Sequence, residues 1–184
     1  MSYDVRGNVI KRSTPEGTVN YSYDLQSGQK NRVWCERSVD GVNKTSTDIR
    51  YTYDEIYRLK SITVHCRNGE QLQVPEVTSF TYTKTGTRES IERPNGIKTL
   101  YQYNLLDRLI KLSHSNETEK IAEYIYSLDA SGRRGGVSEE ILQPGGERVS
   151  ATIAYEYDGL GRLIQEERVG GGSFLATYKY DLCN

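Results

Sequence analysis

The chain is short of the residues that usually fill a core, with 2 Phe, 1 Trp and 1 Met in 184 residues. No stretch approaches the roughly 20 consecutive apolar residues of a membrane-spanning helix, so membrane insertion is not expected. An excess of either charge is also missing: 24 Lys+Arg stand against 25 Asp+Glu, a formal net charge of -1. Neutralising a phosphate backbone needs a concentrated positive field, which argues against nucleic acid as a partner. Histidine is scarce, at 2, and the 3 cysteines, Cys35, Cys66 and Cys183, share no metal-ligand spacing. They read as free thiols. The opening residues, Met1-Ser2-Tyr3-Asp4, do not place a basic segment before an apolar one, so no signal peptide is expected in this chain.

Tyrosine is what the chain has in excess, with 15 residues against a hydrophobic fraction of 35%. A tyrosine buries a large ring but needs a partner or water for its hydroxyl. Such a composition suits many thin, half-buried strands better than one thick core.

The tyrosines recur in order. Aromatic-x-Tyr followed by a turn appears at Tyr21-Ser22-Tyr23-Asp24, Tyr51-Thr52-Tyr53-Asp54, Phe80-Thr81-Tyr82-Thr83 and Tyr101-Gln102-Tyr103-Asn104. It returns at Tyr124-Ile125-Tyr126-Ser127, Tyr155-Glu156-Tyr157-Asp158 and Tyr178-Lys179-Tyr180-Asp181, and Tyr3-Asp4 reads as the end of another copy. Only Tyr57 lies outside the pattern. Self-similarity at a period of about 20 to 30 residues is the mark of a repeat array.

In a strand, residues two apart share a face. Tyr-x-Tyr therefore lays two rings side by side, with mostly polar residues opposite, as the period-2 pattern of a half-buried strand requires. A tight turn should follow. Aspartate at its first position can bond the backbone two residues on, and glycine at its fourth accepts a positive φ. The fourth position holds Gly7, Tyr57, Gly86, Asp107, Gly161 and Asn184. Tyr57 is the misfit: either it is strained or its turn differs. Two copies read as carrying an insertion, at Ser27-Gly28 and at Ala130-Ser131-Gly132.

A returning strand such as Arg162-Leu163-Ile164-Gln165 follows each turn. A second turn then closes the unit, with candidates at Pro15-Glu16-Gly17, Asp40-Gly41, Asn68-Gly69, Pro94-Asn95-Gly96, Pro144-Gly145-Gly146 and Gly170-Gly171-Gly172. The expected fold is all-β: consecutive antiparallel hairpins in one long, curved, twisted sheet of about 14 to 16 strands. Residues 1–184 read as a single array of about seven or eight hairpins.

The near-complete unit Tyr155-Glu156-Tyr157-Asp158-Gly159-Leu160-Gly161-Arg162-Leu163 resembles the YD repeat of the Rhs family. That family includes bacterial polymorphic toxins, the B and C components of Tc toxins, and teneurins. The resemblance implies a spiralling β-sheet that closes as a hollow shell around a C-terminal toxin, of which this chain supplies a strip. It implies neighbouring repeats or copies of the chain as partners through open strand edges, with an enclosed toxin polypeptide or a glycan as further candidates. It also implies a secreted or cell-surface setting if the strip belongs to a larger protein. The family's self-cleaving shells carry an Asp-Pro motif. No Asp-Pro occurs here, and that activity does not transfer.

No residue reads as catalytic, cofactor-binding or metal-ligating. Asp4, Asp24, Asp54, Asp158 and Asp181 stand at turns, where capping is the expected role. His65 and Cys66 are adjacent and should face opposite ways on a strand, while His114 among serines reads as a solvated loop residue. The tyrosine stripes could stack on sugars, but holding hairpins together already requires them.

Overall fold

A computed structural model describes residues 1–39 and 42–181. They form fifteen strands and no helix: β1 (Ser2–Tyr3), β2 (Val9–Thr14), β3 (Gly17–Tyr23), β4 (Lys30–Val39), β5 (Val42–Tyr53), β6 (Leu59–Arg67), β7 (Glu70–Tyr82), β8 (Arg88–Glu92), β9 (Lys98–Tyr103), β10 (Leu109–Ser115), β11 (Lys120–Leu128), β12 (Arg134–Leu142), β13 (Arg148–Tyr157), β14 (Leu163–Val169) and β15 (Phe174–Thr177). The strands follow one another in the sheet in chain order. The chain divides into two compact units, residues 1–81 with 92–95, and residues 82–91 with 96–184.

Within each unit the ladders are antiparallel, as short connections demand. In the first, Tyr51 lies opposite Ile62 and Tyr53 opposite Leu59. In the second, Tyr155 lies opposite Glu166 and Tyr157 opposite Leu163. The register slips by one residue just before the turn, between Thr52 and Tyr53 and between Glu156 and Tyr157. That is the bulge expected of a three-residue hairpin loop closed by a left-handed residue.

A single sheet has no second layer to complete a core. Among the described residues only Thr99 and Cys66 are less than 2% exposed. Side chains of Ala122, Val137, Ala151 and Ile153 are buried along β11 to β13, where neighbouring strands supply the cover. The tyrosines of β3, β5, β9, β11 and β13 are half-buried.

The turns share one construction. Gly161 N–H donates to Asp158 O at 2.9 Å and Asp158 N–H to Arg162 O at 2.9 Å, with Gly161 at φ 81°. Asp4, Asp54, Thr83, Asn104 and Asp129 open turns with the same pair of bonds. Tyr57 does not change the turn type: its N–H donates to Asp54 O at 3.0 Å and its φ is 64°. It is the strained option of the two. Asp107, at φ 55°, fills the same position in its own turn. The second set of turns is mixed. Asn68 and Gly69, at φ 54° and 84°, make a two-residue turn with both positions left-handed. Gln143-Pro144-Gly145-Gly146 instead repeats the Tyr–Asp construction, with Gly146 N–H donating to Gln143 O at 2.9 Å.

One expectation is met here and three change. The turn at 24–29 does carry an extra residue, since Asp24 N–H reaches Gln29 O and Gly28 N–H reaches Asp24 O. No insertion exists at Ala130-Ser131-Gly132: Asp129 N–H donates to Arg133 O, an ordinary turn. The frame is shifted instead, so that Leu128, opposite Arg134, takes the place of a second tyrosine, and Tyr126 and Tyr124 stand one and two positions further back on that face. The last ring pair, Tyr178-Lys179-Tyr180, lies beyond β15, which ends at Thr177, although Tyr178 N–H still donates to Ile164 O at 2.9 Å. His114 is not a loop residue: it sits half-buried in β10. The Asp40-Gly41 turn, Cys183 and Asn184 lie outside the described residues.

Pro75 falls inside β7, where proline removes a ladder donor. It is accommodated because the β6–β7 pairing skips there, from Val64 opposite Glu76 to Cys66 opposite Gln71.

A left-handed backbone costs an ordinary residue about 1 kcal/mol that glycine avoids, and Tyr57 is already 56% exposed. Tyr57→Gly should therefore raise stability by about 1 kcal/mol, read as an increased midpoint in urea. An unchanged or lower midpoint means the ring contributes more than its exposure suggests.

Candidate functional site

Tyr–Asp turns close the loops that follow β1, β3, β5, β7, β9, β11 and β13, so they line one edge of the strands in each unit. Their side chains form a repeated bonding pattern, and this rim is where most of the sequence-singled residues meet.

Five of the second tyrosines turn their hydroxyls onto a backbone carbonyl. Tyr23 Oη donates to Val9 O at 3.0 Å, and Tyr53 Oη to Lys30 O at 2.7 Å. Tyr103 Oη donates to Arg88 O and Tyr157 Oη to Arg134 O, both at 2.8 Å, and Tyr180 Oη to Leu163 O at 2.7 Å. Every acceptor is the first residue of its strand, just past a Tyr–Asp turn. Phenylalanine could fill the same space but could not donate. Burial pushes the hydroxyls of Tyr53 and Tyr103 above their ordinary pKa, which keeps the donors protonated.

The turn carboxylates face inward onto their own loops. Asp158 Oδ1 accepts from the backbone N–H of Leu160 at 2.9 Å and of Arg162 at 2.8 Å, and Asp158 Oδ2 accepts from Arg162 Nε at 2.8 Å. Asp54 with Arg58 and Asp129 with Arg133 repeat it, each with an Nε–Oδ2 distance of 2.7 Å. Asp4 has Asn8 in the arginine's place, at 3.0 Å. Asp24, in the enlarged turn, accepts from Ser27 N–H at 2.7 Å. Asn104 keeps the two backbone bonds without a charge, and Thr83 answers with hydroxyl bonds to Thr85 and Thr87.

Hydrogen bonds to the charged form lower an acid's pKa. The Arg162 amide and then its guanidinium hold Asp158 below the ordinary 3.8, and the Arg133 guanidinium does most for Asp129. At Asp54 burial pushes upward, but the bonds from Arg58 and Ile56 outweigh it.

The arginines also reach the next turn. The Arg133 guanidinium lies 4.9 Å from the Tyr157 ring centre, and that of Arg162 lies 4.5 Å from the Tyr180 ring centre, within cation–π range. Arg133 Nη1 would stand 3.0 Å from a Cβ added to Gly161, and a Cβ on Gly132 would collide with the Arg108 guanidinium. Glycine at these two places answers two demands, a positive φ and a neighbouring arginine. Tyr82 and Gly86 occupy the same positions of the turn at 83–87, where Gly86 N–H donates to Thr83 O at 3.1 Å. The first rings, Tyr21, Tyr51, Tyr101 and Tyr155, lie half-buried two residues earlier, and Tyr124 packs edge-on against His114 with centres 6.3 Å apart. Asp181 ends the described chain.

Other polar groups are absorbed locally. His114 Nδ1 is 3.0 Å from the buried Thr99 Oγ1. Cys66 is buried and donates from Sγ to Thr45 O at 3.4 Å. Asp48, 3% exposed, was not singled out from sequence. Its carboxylate is gripped by Arg32 through two bonds, at 2.8 and 3.0 Å, and by Arg50 at 3.4 Å. Burial pushes Asp48 upward in pKa, and the two guanidinium groups more than reverse it. The i, i+2 spacing of Asp48 and Arg50 places them on one face, but the dominant partner, Arg32, is set only by the β4–β5 register.

No family model and no curated protein matches the chain. Solved structures do. The crystal structure of TcdB2-TccC3-Cdc42 superposes with a TM-score of 0.74 at 16% identity, over 96% of this chain and 9% of that one. TcdB2-TccC3 without its hypervariable C-terminal region gives a TM-score of 0.73, with the same identity and coverage. The likeness is one of fold, and the chain spans about a tenth of the length of those it matches.

Deleting one hydroxyl removes its bond to the carbonyl, which costs about 1 kcal/mol. Tyr53→Phe, Tyr103→Phe and Tyr157→Phe should each lower stability by about that amount in denaturant titrations, and a neutral result at all three would mean water replaces the bond without loss. Acid should act on the carboxylates. Because their folded pKa values lie below 3.8, their contribution is complete above that pH and disappears as the pH falls through the lowered values. Asp158→Asn should therefore flatten the loss of stability below about pH 4, measured by thermal melts from pH 2 to 6.

Proposed function

We propose that the chain is a structural repeat module, a strip of Rhs-type shell wall within a larger protein, and that the shell encloses a polypeptide cargo. The observation that carries this reading is the use made of the tyrosines. Their hydroxyls, rings and neighbouring arginines are engaged turn to turn, which is what a wall needs and what a stacking platform for ligands would have to forgo. The fold likeness to TcdB2-TccC3, at a tenth of that protein's length, supports a module that works as part of something longer. On this reading residues 1–184 are one repeat array, its partners are the repeats on either side, and the chain performs no catalysis itself. The tyrosines and aspartates of the turns act as wall fasteners.

Limited proteolysis of the natural full-length protein tests the enclosure. The strip and the polypeptide following it should survive together as one protected particle and become digestible together once the shell is opened by denaturant. Immediate digestion of the following polypeptide, with the strip left intact, overturns the enclosure. Retention of the intact strip on immobilised glycans, lost in a Tyr21→Ala variant that still folds, would support a carbohydrate-binding module in its place.

A further inference from the structure

Three places in the chain spell Asn-x-Ser/Thr, at Asn20, Asn43 and Asn116. That spacing is what an oligosaccharyltransferase reads: an asparagine whose side-chain nitrogen takes the sugar, and a hydroxyl two residues on. The enzyme must reach both groups at once, so the segment has to be exposed and free of ladder partners. The fold treats the three places differently.

Asn20 is 9% exposed in the middle of β3. Its backbone lies between Lys11 and Trp34 of the flanking strands, and its Nδ2 donates to Glu36 Oε2 at 3.2 Å. Asn43 is exposed, but its segment belongs to the β4–β5 ladder: Asn43 pairs with Ser38, Lys44 with Arg37 and Thr45 with Glu36. The Thr45 carbonyl also accepts from Cys66 Sγ at 3.4 Å. Neither place can be gripped without peeling a strand from the sheet.

Asn116 lies in a turn instead. Asn116, Glu117, Thr118 and Glu119 connect β10 to β11, and all four are exposed. Asn116 N–H donates to Glu119 O at 3.0 Å and closes the loop. Asn116 Oδ1 accepts from the backbone N–H of Thr118, the backbone N–H of Glu119 and the Thr118 hydroxyl, each at 2.9 Å. A backbone N–H can donate only to the oxygen of a carboxamide, so these bonds fix which end of the side chain faces the loop. Nδ2 is left on the outer side, with no hydrogen-bond partner among the described residues. The hydroxyl that the motif requires stands beside the same carboxamide.

We propose that Asn116 is a glycan attachment site, the one of the three that the folded chain presents to a transferase using a polyprenyl pyrophosphate-linked oligosaccharide. In that step Nδ2 forms a bond to the anomeric carbon, and the bond from that carbon to the pyrophosphate oxygen breaks. The polyprenyl pyrophosphate leaves, and one Nδ2 proton passes to a base of the enzyme. Oδ1 keeps its three bonds, so the sugar is added without loosening the turn. The turn follows an even-numbered strand, which puts it at the edge opposite the Tyr–Asp rim. The site does not depend on the shell reading; it requires only that this edge of the second unit face solvent.

An oligosaccharyltransferase preparation that modifies synthetic peptides carrying each of the three motifs, incubated with the folded full chain and the lipid-linked donor, tests the site. Intact mass and peptide mapping read the product. The expected result is one oligosaccharide per chain on Asn116, with Asn20 unmodified and Asn43 modified more slowly. Asn116→Asp keeps the Oδ1 acceptor and the turn but offers no nitrogen, so the addition should be lost while the chain still melts cooperatively. Thr118→Val keeps the backbone donor and removes the hydroxyl, and should lose the addition too, whereas Thr118→Ser should retain it. The proposal is overturned if Asn116 of the folded chain stays unmodified, if Asn20 or Asn43 is modified faster, or if Thr118→Val accepts the sugar as well as the parent.

Discussion

A hydroxyl bonded to a carbonyl on the preceding strand is the contact on which the rest of this fold depends. A one-layer sheet cannot gather apolar side chains into a sealed interior, and only two described side chains are below 2% exposed. Stability must then come from the ladders themselves and from closing their ends. The ends are weak because a bulge at each Tyr–Asp turn breaks the regular pattern. Tyrosine meets both needs in one residue: the ring covers the neighbouring strand, and the phenol oxygen donates to a carbonyl just past a turn. The excess of tyrosine over phenylalanine in the composition follows from that geometry.

The turns add a second layer of the same logic. A carboxylate that accepts two backbone amides fixes the loop, and the arginine four residues on neutralises it while lying over the next ring or glycine. Residues that look redundant in one repeat are therefore shared between two. Glycine at 132 and 161 answers to the preceding arginine as well as to φ, whereas Tyr57 and Asp107 show that the left-handed position itself tolerates other residues at some strain.

The repeat, the strand order and the turn type were legible in the sequence because each has a local cause: period-2 aromatics, an acceptor at the first turn position, and a residue able to take positive φ at the fourth. The frame at 124–129 was not. There Leu128 replaces a tyrosine and Tyr124-Ile125-Tyr126 imitates the motif two residues early, so the pattern points to the wrong ring pair. His114 was misread because polar neighbours imply solvent, while its actual partner, Thr99, comes from another strand. The Arg32–Asp48–Arg50 clamp depends on cross-strand register, which no local pattern encodes.

The Tyr–Asp rim also has a direction. Each of the five phenol oxygens bonded to a carbonyl reaches back only 14 to 23 residues in the chain. Contacts so near in sequence close quickly and need nothing still unsynthesised. A nascent chain can thus lock each hairpin onto the one already finished, from the first residue onward, much as courses of brick are laid without waiting for the roof.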